Sequence, residues 1–336
     1  MDSTGEKILS FESLLIGYKT GSLRNILLPP LNAIALRGEL IAVVGQNGIG
    51  KSTLLRTVTG IQESLGGVLY LKNKALREYS RFGLAQNIGY ISTEPVRVTS
   101  MKVYDLVSLG RYPYTSWTGK LSDSDHDAIS DAIEKVGMED LAGRYINEIS
   151  DGERQRAMIA RVLAQDTDLL VMDEPTAFLD IRSKYEIVHL LHDLSRNRGK
   201  TIIFSTHDIL TAINDADKIW LTQKVALIEG APEDLILNGA FNSLFDGSSV
   251  DFNVSDGSFA FRRKARGRIY LDARGTAKYW TGKAINRAGF EISDVQSGVR
   301  FKITQEEDQR KWIINDDSNR LEFASIYDLV RWLNRQ

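Results

Sequence analysis

Residues 45–52 read Gly45-Gln46-Asn47-Gly48-Ile49-Gly50-Lys51-Ser52 and directly follow an apolar run, Leu40 to Val44. The run predicts a buried strand, and the apolar residues after the glycine-rich turn recur at helical spacing: Leu54, Leu55, Val58 and Ile61. A glycine-rich turn that joins a strand to a helix and ends in Lys-Ser is the context of a phosphate-binding loop. Its backbone N–H groups surround phosphate oxygens, Lys51 reaches the β and γ phosphates, and Ser52 offers a hydroxyl to Mg²⁺. A chance glycine-rich turn is the alternative, but it does not require the Lys-Ser pair.

The order of the predicted elements indicates a parallel sheet with a helical insertion. Residues 100–165 read as mostly helical. Strand-like runs then alternate with a helix: Leu169 to Met172, the helix carrying Ile187, Leu190, Leu191 and Leu194, and Thr201 to Phe204. Such alternation is typical of an α/β fold. We therefore expect one domain over residues 1–246, with its helical part at about residues 97–165.

A second domain is predicted after the small and polar residues Asp246-Gly247-Ser248-Ser249. Strand-like runs lie near Phe259, Ile269, Phe301, Ile314 and Phe323, and the last of two helices carries Ile326, Leu329, Val330 and Leu333. Residues 247–336 are thus expected to form a small C-terminal α+β domain. Trp280 and Trp312 are interpreted as core residues of this domain.

One dense basic cluster, Arg262 to Arg268, lies in this second domain. Such a run is found in patches that bind nucleic acid or anionic lipid, and also in solvated turns. With only one aromatic residue beside it and a near-neutral protein around it, we favour a solvated hairpin turn.

Composition narrows the possible functions. The 336 residues are 43% hydrophobic and 26% charged, the balance of a globular protein large enough for two domains. A formal net charge of −2 gives no electrostatic reason to expect nucleic acid as a partner. The chain has no cysteine, which excludes disulfides, thiolate metal sites and thiol nucleophiles. No signal-peptide pattern and no apolar run of about 18 residues is found, so a role at a membrane would require a membrane-embedded partner.

An acidic pair, Asp173-Glu174, ends the apolar run Leu169 to Met172. Ligand sites of open α/β sheets gather at the carboxyl ends of strands. With a phosphate loop upstream, Asp173 is expected to hold Mg²⁺ and Glu174 to act as general base on the attacking water. A solvated strand end is the alternative for this pair taken alone.

A helix start follows the pattern of a capping box, in which Ser150 is the N-cap and Glu153 lies three residues further on. Exposed N–H groups and a hydroxyl at a helix start can also bind a γ-phosphate. We expect this helix start to serve in both ways.

The order of these motifs, followed by Asp180 and His207, resembles that of ABC-type ATPases over roughly residues 8–245. The resemblance implies a P-loop core with an antiparallel β subdomain and a helical subdomain. It also implies that ATP and Mg²⁺ are the cofactors. The matching positions for ATP are Tyr18, Gly45, Asn47, Gly48, Gly50, Lys51, Ser52 and Thr53.

The same resemblance assigns roles to single residues. In that family two cassettes pair head to tail, so Ser150, Gly152 and Glu153 of one chain face the ATP of the other. Lys51, Glu174 and His207 would be catalytic, with His207 contacting the γ-phosphate, and Ser52 and Asp173 would be the metal ligands. Asp180 would lie at the dimer interface. Tyr18 would be the aromatic platform for adenine, a role for which Phe11 competes.

The branch of the family is suggested by Val107-Ser108-Leu109-Gly110-Arg111-Tyr112-Pro113-Tyr114. It resembles cassettes that power siderophore, haem and cobalamin importers. The implied partners are a second copy of this chain and membrane permease subunits, with a substrate-binding protein as an indirect partner, at the cytoplasmic face of the cell membrane. An end of a helix followed by a turn is the alternative for these residues.

Two positions depart from the family pattern. Thr93 stands where these cassettes carry a glutamine that touches Mg²⁺, so Thr93 or the adjacent Glu94 is a further candidate metal ligand. Asp151 stands where the signature carries glycine, and we expect its side chain to point outward.

Two other functions are compatible with the motifs. A soluble ABC-type ATPase acting on DNA or ribosomes would require a long coiled-coil insertion or a second cassette, and the sequence contains neither. A regulatory module, whose C-terminal domain senses a ligand, is suggested by the unusual Thr93.

Overall fold

The structure is a computed structural model that describes residues 5–94, 100–115, 119–245, 250–253, 257–261, 264–306, 311–316 and 319–336. The chain divides into two compact units, residues 1–246 with 254–257 and residues 247–253 with 258–336. The boundary predicted at Asp246 to Ser249 lies outside the described residues, so the domain limits 1–246 and 247–336 stay a prediction.

The secondary structure of both units comprises the following strands and helices, which alternate through most of the first unit. The strands are β1 (Lys7–Leu15), β2 (Gly17–Thr20), β3 (Leu23–Ile26), β4 (Leu31–Leu36), β5 (Leu40–Gly45), β6 (Gly66–Leu71), β7 (Lys74–Ala75), β8 (Ile88–Ile91), β9 (Leu169–Met172), β10 (Thr201–Ser205), β11 (Lys218–Thr222), β12 (Leu227–Gly230), β13 (Val250–Asn253), β14 (Ser258–Phe261), β15 (Arg268–Asp272), β16 (Glu291–Ser293), β17 (Phe301–Glu306), β18 (Lys311–Asp316) and β19 (Asn319–Phe323). The helices are α1 (Lys51–Val58), α2 (Arg81–Ala85), α3 (Val103–Ser108), α4 (Asp123–Lys135), α5 (Asp151–Ala164), α6 (Ile181–Arg196), α7 (Ile209–Asp215), α8 (Pro232–Leu237), α9 (Gly275–Arg287) and α10 (Ile326–Leu333).

The first unit contains a mostly parallel sheet of order β12-β11-β5-β10-β9-β8. The strands β11, β5, β10, β9 and β8 run parallel, and β12 is antiparallel at the edge. Leu40 to Val44 of β5 are buried on both faces, as the continuous apolar run predicts for a central strand. Because the strands are parallel, their carboxyl ends lie along one edge of the sheet.

An antiparallel sheet of order β4-β1-β6-β7 packs on the parallel one. Their shared core includes Phe11 of β1 and Trp220 of β11, whose rings meet edge to face at 5.3 Å between centroids. The α/β core with an antiparallel β part, predicted from the sequence, is confirmed.

The first helix is shorter than the sequence pattern indicates. α1 ends at Val58, and Ile61 is 60% exposed. Including Ile61 in this helix was wrong because Gly60, at φ 74°, takes the left-handed conformation that ends helices.

The helical part is held together by the Gly110-Arg111 pair. Gly110 lies so close to α5 that a Cβ atom would stand 2.0 Å from the carbonyl oxygen of Arg161. Arg111 donates from Nε to Asp125 Oδ1 of α4 at 2.7 Å and from Nη1 to the carbonyl of Ala164 at 2.8 Å. Hydrogen bonds from Ser122, and then from Arg111, lower the pKa of Asp125 to about 2. The pair therefore joins the segment after α3 to both α4 and α5.

The second unit contains a sheet of order β16-β15-β17-β18-β19, against which α9 and α10 pack. Leu329 and Leu333 of α10 are fully buried, which confirms the predicted final helix and the α+β class of this unit. β13 and β14 form a separate hairpin.

Two expectations for the second unit need correction. Trp312 is buried, but Trp280 is 63% exposed, because the buried face of α9 carries Thr281, Ala284 and Ile285 instead. The described part of the basic cluster, from Lys264 onward, connects β14 to β15 in a different sheet, so the hairpin turn was wrong. Lys264 and Arg266 are exposed, and Arg262 and Arg263 lie outside the described residues.

Within the described ranges, no helix combines the length and the apolar character needed to cross a bilayer.

The close approach of Gly110 to α5 predicts that Gly110→Ala lowers the free energy of unfolding by roughly 1–3 kcal/mol, the usual cost of overpacking. The matched control is Gly143→Ala in the same helical part, where a Cβ atom would meet nothing within 4 Å. Urea unfolding of both variants measures the difference. Equal stability of the two variants would contradict the packing argument.

Candidate functional site

Loops from four neighbouring strands meet at the carboxyl edge of the parallel sheet. The glycine-rich loop follows β5, His207 follows β10, Asp173 and Glu174 follow β9, and Thr93 follows β8. The register aligns the strand ends, because Phe204 and Ile91 both pair with Met172. The sequence motifs that lie far apart along the chain are thus brought to one site.

The glycine-rich loop encloses the N-terminus of α1. Gly48 and Gly50 have φ of 73° and 114°, values that favour glycine. Lys51 is buried, and its Nζ donates to the carbonyls of Gly45 at 2.9 Å and Gln46 at 3.2 Å. A cavity of about 400 Å³ opens over the loop. Its lining includes the predicted residues Tyr18, Asn47, Gly48, Gly50, Lys51, Ser52, Thr53, Glu174 and His207.

Gly45 is required for a different reason. A Cβ atom there would lie 2.1 Å from the hydroxyl oxygen of Thr222 on β11. The residue lines a neighbouring cavity, together with Gln46, Asn47 and His207.

Lys51, His207 and Glu174 form a charged cluster. His207 Nδ1 lies 3.5 Å from Lys51 Nζ, and His207 Nε2 pairs with Glu174 Oε1. Burial lowers the pKa of Lys51, and the charges of Glu174 and Asp173 oppose that shift. The three residues predicted to be catalytic therefore lie together.

Asp173 is buried, although its neighbour Glu174 reaches the cavity. The Ser205 hydroxyl donates to Asp173 Oδ1 at 2.7 Å and accepts from the Glu174 backbone N–H at 2.9 Å. Ser205 is not predicted as a site residue by any of the sequence motifs. The available signal was a serine that ends an apolar run, Ile202 to Phe204, on the strand beside the acidic pair.

Tyr18 is the aromatic residue that stands at the cavity. It is half exposed, and its hydroxyl forms a 2.9 Å hydrogen bond with Thr53 Oγ1. Phe11 is buried in the core between the sheets and is excluded as the alternative.

Ser150 forms the predicted capping box. Its hydroxyl accepts from the Glu153 N–H at 3.3 Å. The backbone N–H of Ser150, and then its hydroxyl, donate to Glu153 Oε2 at 2.8 Å, and these two bonds lower the pKa of Glu153. Asp151 points outward as expected, paired with Arg154 at 2.6 Å. Gly152 packs on α6, since a Cβ atom there would lie 2.7 Å from Ser183 Oγ. Ser150, Gly152 and Glu153 are not among the described residues that line the cavity over the glycine-rich loop.

Asp180 is the N-cap of α6. Its carboxylate accepts from the Ser183 N–H at 2.9 Å and from the Ser183 hydroxyl at 3.0 Å, and these bonds lower its pKa. Its predicted place in a dimer interface stays a prediction.

Thr93 and Glu94 differ in what they contact. The Thr93 hydroxyl donates to the carbonyl oxygen of Asp173 at 3.1 Å. Glu94 is exposed and lies 3.9 Å from Arg56. The hydroxyl hydrogen of Thr93 is therefore directed at the backbone of the acidic pair.

A glycine-rich loop after β5, an acidic pair after β9 and a histidine after β10 define a P-loop nucleoside triphosphatase with an inserted helical part. Two family models match this chain: ABC transporter over residues 29–177 and iron ABC transporter C-terminal domain over residues 266–334. The chain is also 35% identical over 256 residues to an uncharacterised ABC transporter ATP-binding protein of Methanocaldococcus jannaschii, a match that covers 76% of this chain and 87% of the relative. The chain belongs to the ATP-binding subunits of ABC transporters and is an ATPase.

Other relatives agree with the predicted branch. A siderophore transport system ATP-binding protein of Bacillus subtilis is 33% identical, over 72% of this chain and 86% of the relative. The iron(3+)-hydroxamate import ATP-binding protein of the same organism is 39% identical, over 60% of this chain and 73% of the relative. The predicted resemblance to siderophore-importer cassettes is confirmed.

Solved structures confirm the fold class. An ABC transporter described as metal-chelate type, in an inward-facing conformation, has a TM-score of 0.62 at 28% identity, covering 72% of this chain and 89% of that one. The cbiO1 protein of Clostridium perfringens, part of the transporter complex cbiONQ, has a TM-score of 0.61 at 31% identity, covering 70% and 93%.

The position of Tyr18 predicts that its ring, rather than its hydroxyl, contributes to ATP affinity. Tyr18→Ala is expected to raise the Kd for ATP by roughly 5- to 150-fold, the range given by loss of base–aromatic stacking. Tyr18→Phe keeps the ring and loses only the bond to Thr53, so its Kd should stay within about threefold. Isothermal titration with ATP measures both, and equal losses in the two variants would contradict stacking.

Proposed function

We propose that this chain powers an importer of iron–siderophore complexes, by ATP-driven closure of a dimer beneath membrane permease subunits. The observation that carries the proposal is the convergence of Lys51, Glu174 and His207 on one cavity over the glycine-rich loop. These three side chains support one half of an ATP site on this chain. Siderophore import is supported by the names of relatives that transport siderophores, iron(3+)-hydroxamate and ferric enterobactin.

The roles follow from the chemistry of each side chain. Lys51 binds the β and γ phosphates, and the loop N–H groups surround them. Glu174 accepts a proton from the attacking water, and His207, which already touches Glu174 and approaches Lys51, contacts the γ-phosphate.

Mg²⁺ fits the oxygen ligands present at this edge. Ser52 supplies a hydroxyl and Asp173 a buried carboxylate, the hard ligands that Mg²⁺ prefers. Among the described residues, no group of three or more His, Asp or Glu side chains that could hold a metal is found. Mg²⁺ is often held by one or two carboxylates together with substrate phosphates, and Ser52 and Asp173 would hold it here. Bound Mg²⁺ supplies charge neutralisation on the phosphates.

The dimer completes the site. Ser150, Gly152 and Glu153 of the second copy supply a helix start with exposed N–H groups, which suits the γ-phosphate. Asp180, at the start of α6, lies at the interface between the copies. Loss of the γ-phosphate on hydrolysis removes the bridge between the copies and favours opening.

An aromatic patch supports permease docking on the helical side of the cassette. Phe82 of α2 and Tyr112, in the turn after α3, are both exposed and stack with ring centroids 6.5 Å apart. Exposed aromatic side chains are enriched in protein–protein interfaces. The cassette is thereby held at the cytoplasmic face of the membrane, with a substrate-binding protein as an indirect partner.

The assembly itself is tested by capture of the tagged chain from detergent-solubilised native membranes, followed by identification of the co-purifying proteins. We expect a polytopic permease to be recovered, together with a substrate-binding protein for an iron chelate. Recovery of ribosomes or nucleic acid without a permease would overturn the transporter assignment in favour of a soluble ATPase.

The proposed base predicts that Glu174→Gln lowers kcat for ATP hydrolysis by roughly 10²- to 10⁴-fold, the contribution of a general base. ATP should still bind, so the variant should elute as a dimer in ATP during size-exclusion chromatography. Glu134→Gln, an exposed residue of α4, is the matched control. Unchanged turnover in Glu174→Gln would refute the role of Glu174.

A further inference from the structure

We propose that two hydroxyl groups, Ser205 from one neighbouring strand and Thr93 from the other, clamp the acidic pair and position it for ATP hydrolysis. The inference deepens the proposed function and rests on its assignment of Asp173 and Glu174. Both hydroxyls are positioning groups, because they contact the two acidic residues, and neither Ser205 nor Thr93 is among the described residues that line the cavity over the glycine-rich loop.

The clamp arises from the strand order. β9 lies between β10 and β8, and Ser205 ends β10 while Thr93 lies two residues after the end of β8. On one side, the Ser205 hydroxyl donates to Asp173 Oδ1 and accepts from the Glu174 N–H. On the other side, the Thr93 hydroxyl donates to the Asp173 carbonyl. The turn after β9 is therefore held through a carboxylate, an N–H group and a carbonyl.

The turn requires such support for two reasons. Asp173 is buried, and a buried carboxylate is strongly unfavourable unless a donor satisfies it. Glu174 has a backbone φ of 52°, a conformation that residues other than glycine rarely adopt. Ser205 meets both requirements with one oxygen atom, because it donates to the carboxylate and accepts from the N–H of the residue in the strained conformation. Strained residues of this kind persist where surrounding contacts fix them.

Ser205 fixes both the orientation of the Asp173 carboxylate and the backbone position of Glu174. Its hydrogen bond fixes the orientation of the Asp173 carboxylate, which is the proposed metal ligand. Its acceptor role fixes the backbone from which the Glu174 side chain projects toward His207. Loss of the hydroxyl should therefore affect the metal dependence and the turnover rate together, while leaving the glycine-rich loop intact.

Thr93 acts on the backbone alone. Its bond to the Asp173 carbonyl joins two neutral groups, so its loss should have a smaller effect than loss of the bond from Ser205 to a carboxylate. The hydroxyl of Thr93 thus has a structural use in holding the turn after β9.

The test compares Ser205→Ala with a matched control on the same strand, Thr201→Val. Thr201 lies at the opposite end of β10 and is equally buried, and its hydroxyl likewise donates to a carbonyl, that of Leu36, and accepts from the N–H of Gly38. Ser205→Ala should lower kcat by roughly 10- to 100-fold, as expected for a lost bond to a charged group, with the KM for ATP within about twofold. Thr201→Val should leave kcat within about twofold even if it lowers stability.

A second readout does not depend on turnover. Binding of a fluorescent ATP analogue is titrated with Mg²⁺, and the half-saturating Mg²⁺ concentration should rise in Ser205→Ala by roughly 3- to 30-fold, because a freed carboxylate is a poorer ligand. It should stay at the wild-type value in Thr201→Val. Thr93→Val should lower kcat by roughly 3- to 10-fold, and Thr93→Ser, which keeps the hydroxyl, should restore most of it. Ser205→Thr is the corresponding rescue variant.

The outcomes separate the clamp from the proposed function. If the wild type hydrolyses ATP and Glu174→Gln does not, but Ser205→Ala matches the wild type in kcat and in Mg²⁺ dependence, the clamp is refuted and the function stands. Equal loss of kcat in Ser205→Ala and Thr201→Val would also refute the clamp, since the effect would then be a general loosening of β10. If Ser205→Ala does not fold, Thr93→Val against Thr93→Ser decides the matter: equal kcat in these two variants refutes the clamp.

Discussion

Parallel strands must end at the same edge of their sheet, and the rest of the site depends on this constraint. Lys51 and His207, 156 positions apart in the sequence, meet only because β5, β10, β9 and β8 are neighbours in register. Burial of β5 on both faces fixes it at the centre, and packing of Phe11 on Trp220 fastens the antiparallel sheet to the parallel one. The loops that carry the chemistry then have little freedom to separate.

Much of this arrangement could be predicted from the sequence, because its signals are local. The turn between β5 and α1 requires glycines at particular φ values, and the acidic pair ends a short apolar run, so both patterns are visible along the chain. The prediction that Ile61 belongs to α1 was wrong because the glycine at position 60 ends the helix despite the helical spacing of the apolar residues. The prediction that Trp280 is a core residue was wrong because helical spacing indicates which residues share a face, but not which face is buried.

Ser205 could not be assigned from the sequence for a different reason. A serine can end an apolar strand at any position in a sheet. Its contacts, and therefore its role, depend on which strand lies beside it. The order β10-β9-β8 is a property of the whole fold. The same holds for Gly110 and Arg111, which look like the end of a helix in the sequence but join three segments of the helical part.

The capping box at Ser150 has a consequence for how two copies recognise each other. In a single chain the hydroxyl of Ser150 and the start of α5 are already satisfied by Glu153. In the dimer that we propose, a phosphate presented by the second copy would therefore compete with the Glu153 carboxylate for this helix start. In the single chain, an internal carboxylate thus occupies the place where that phosphate would bind.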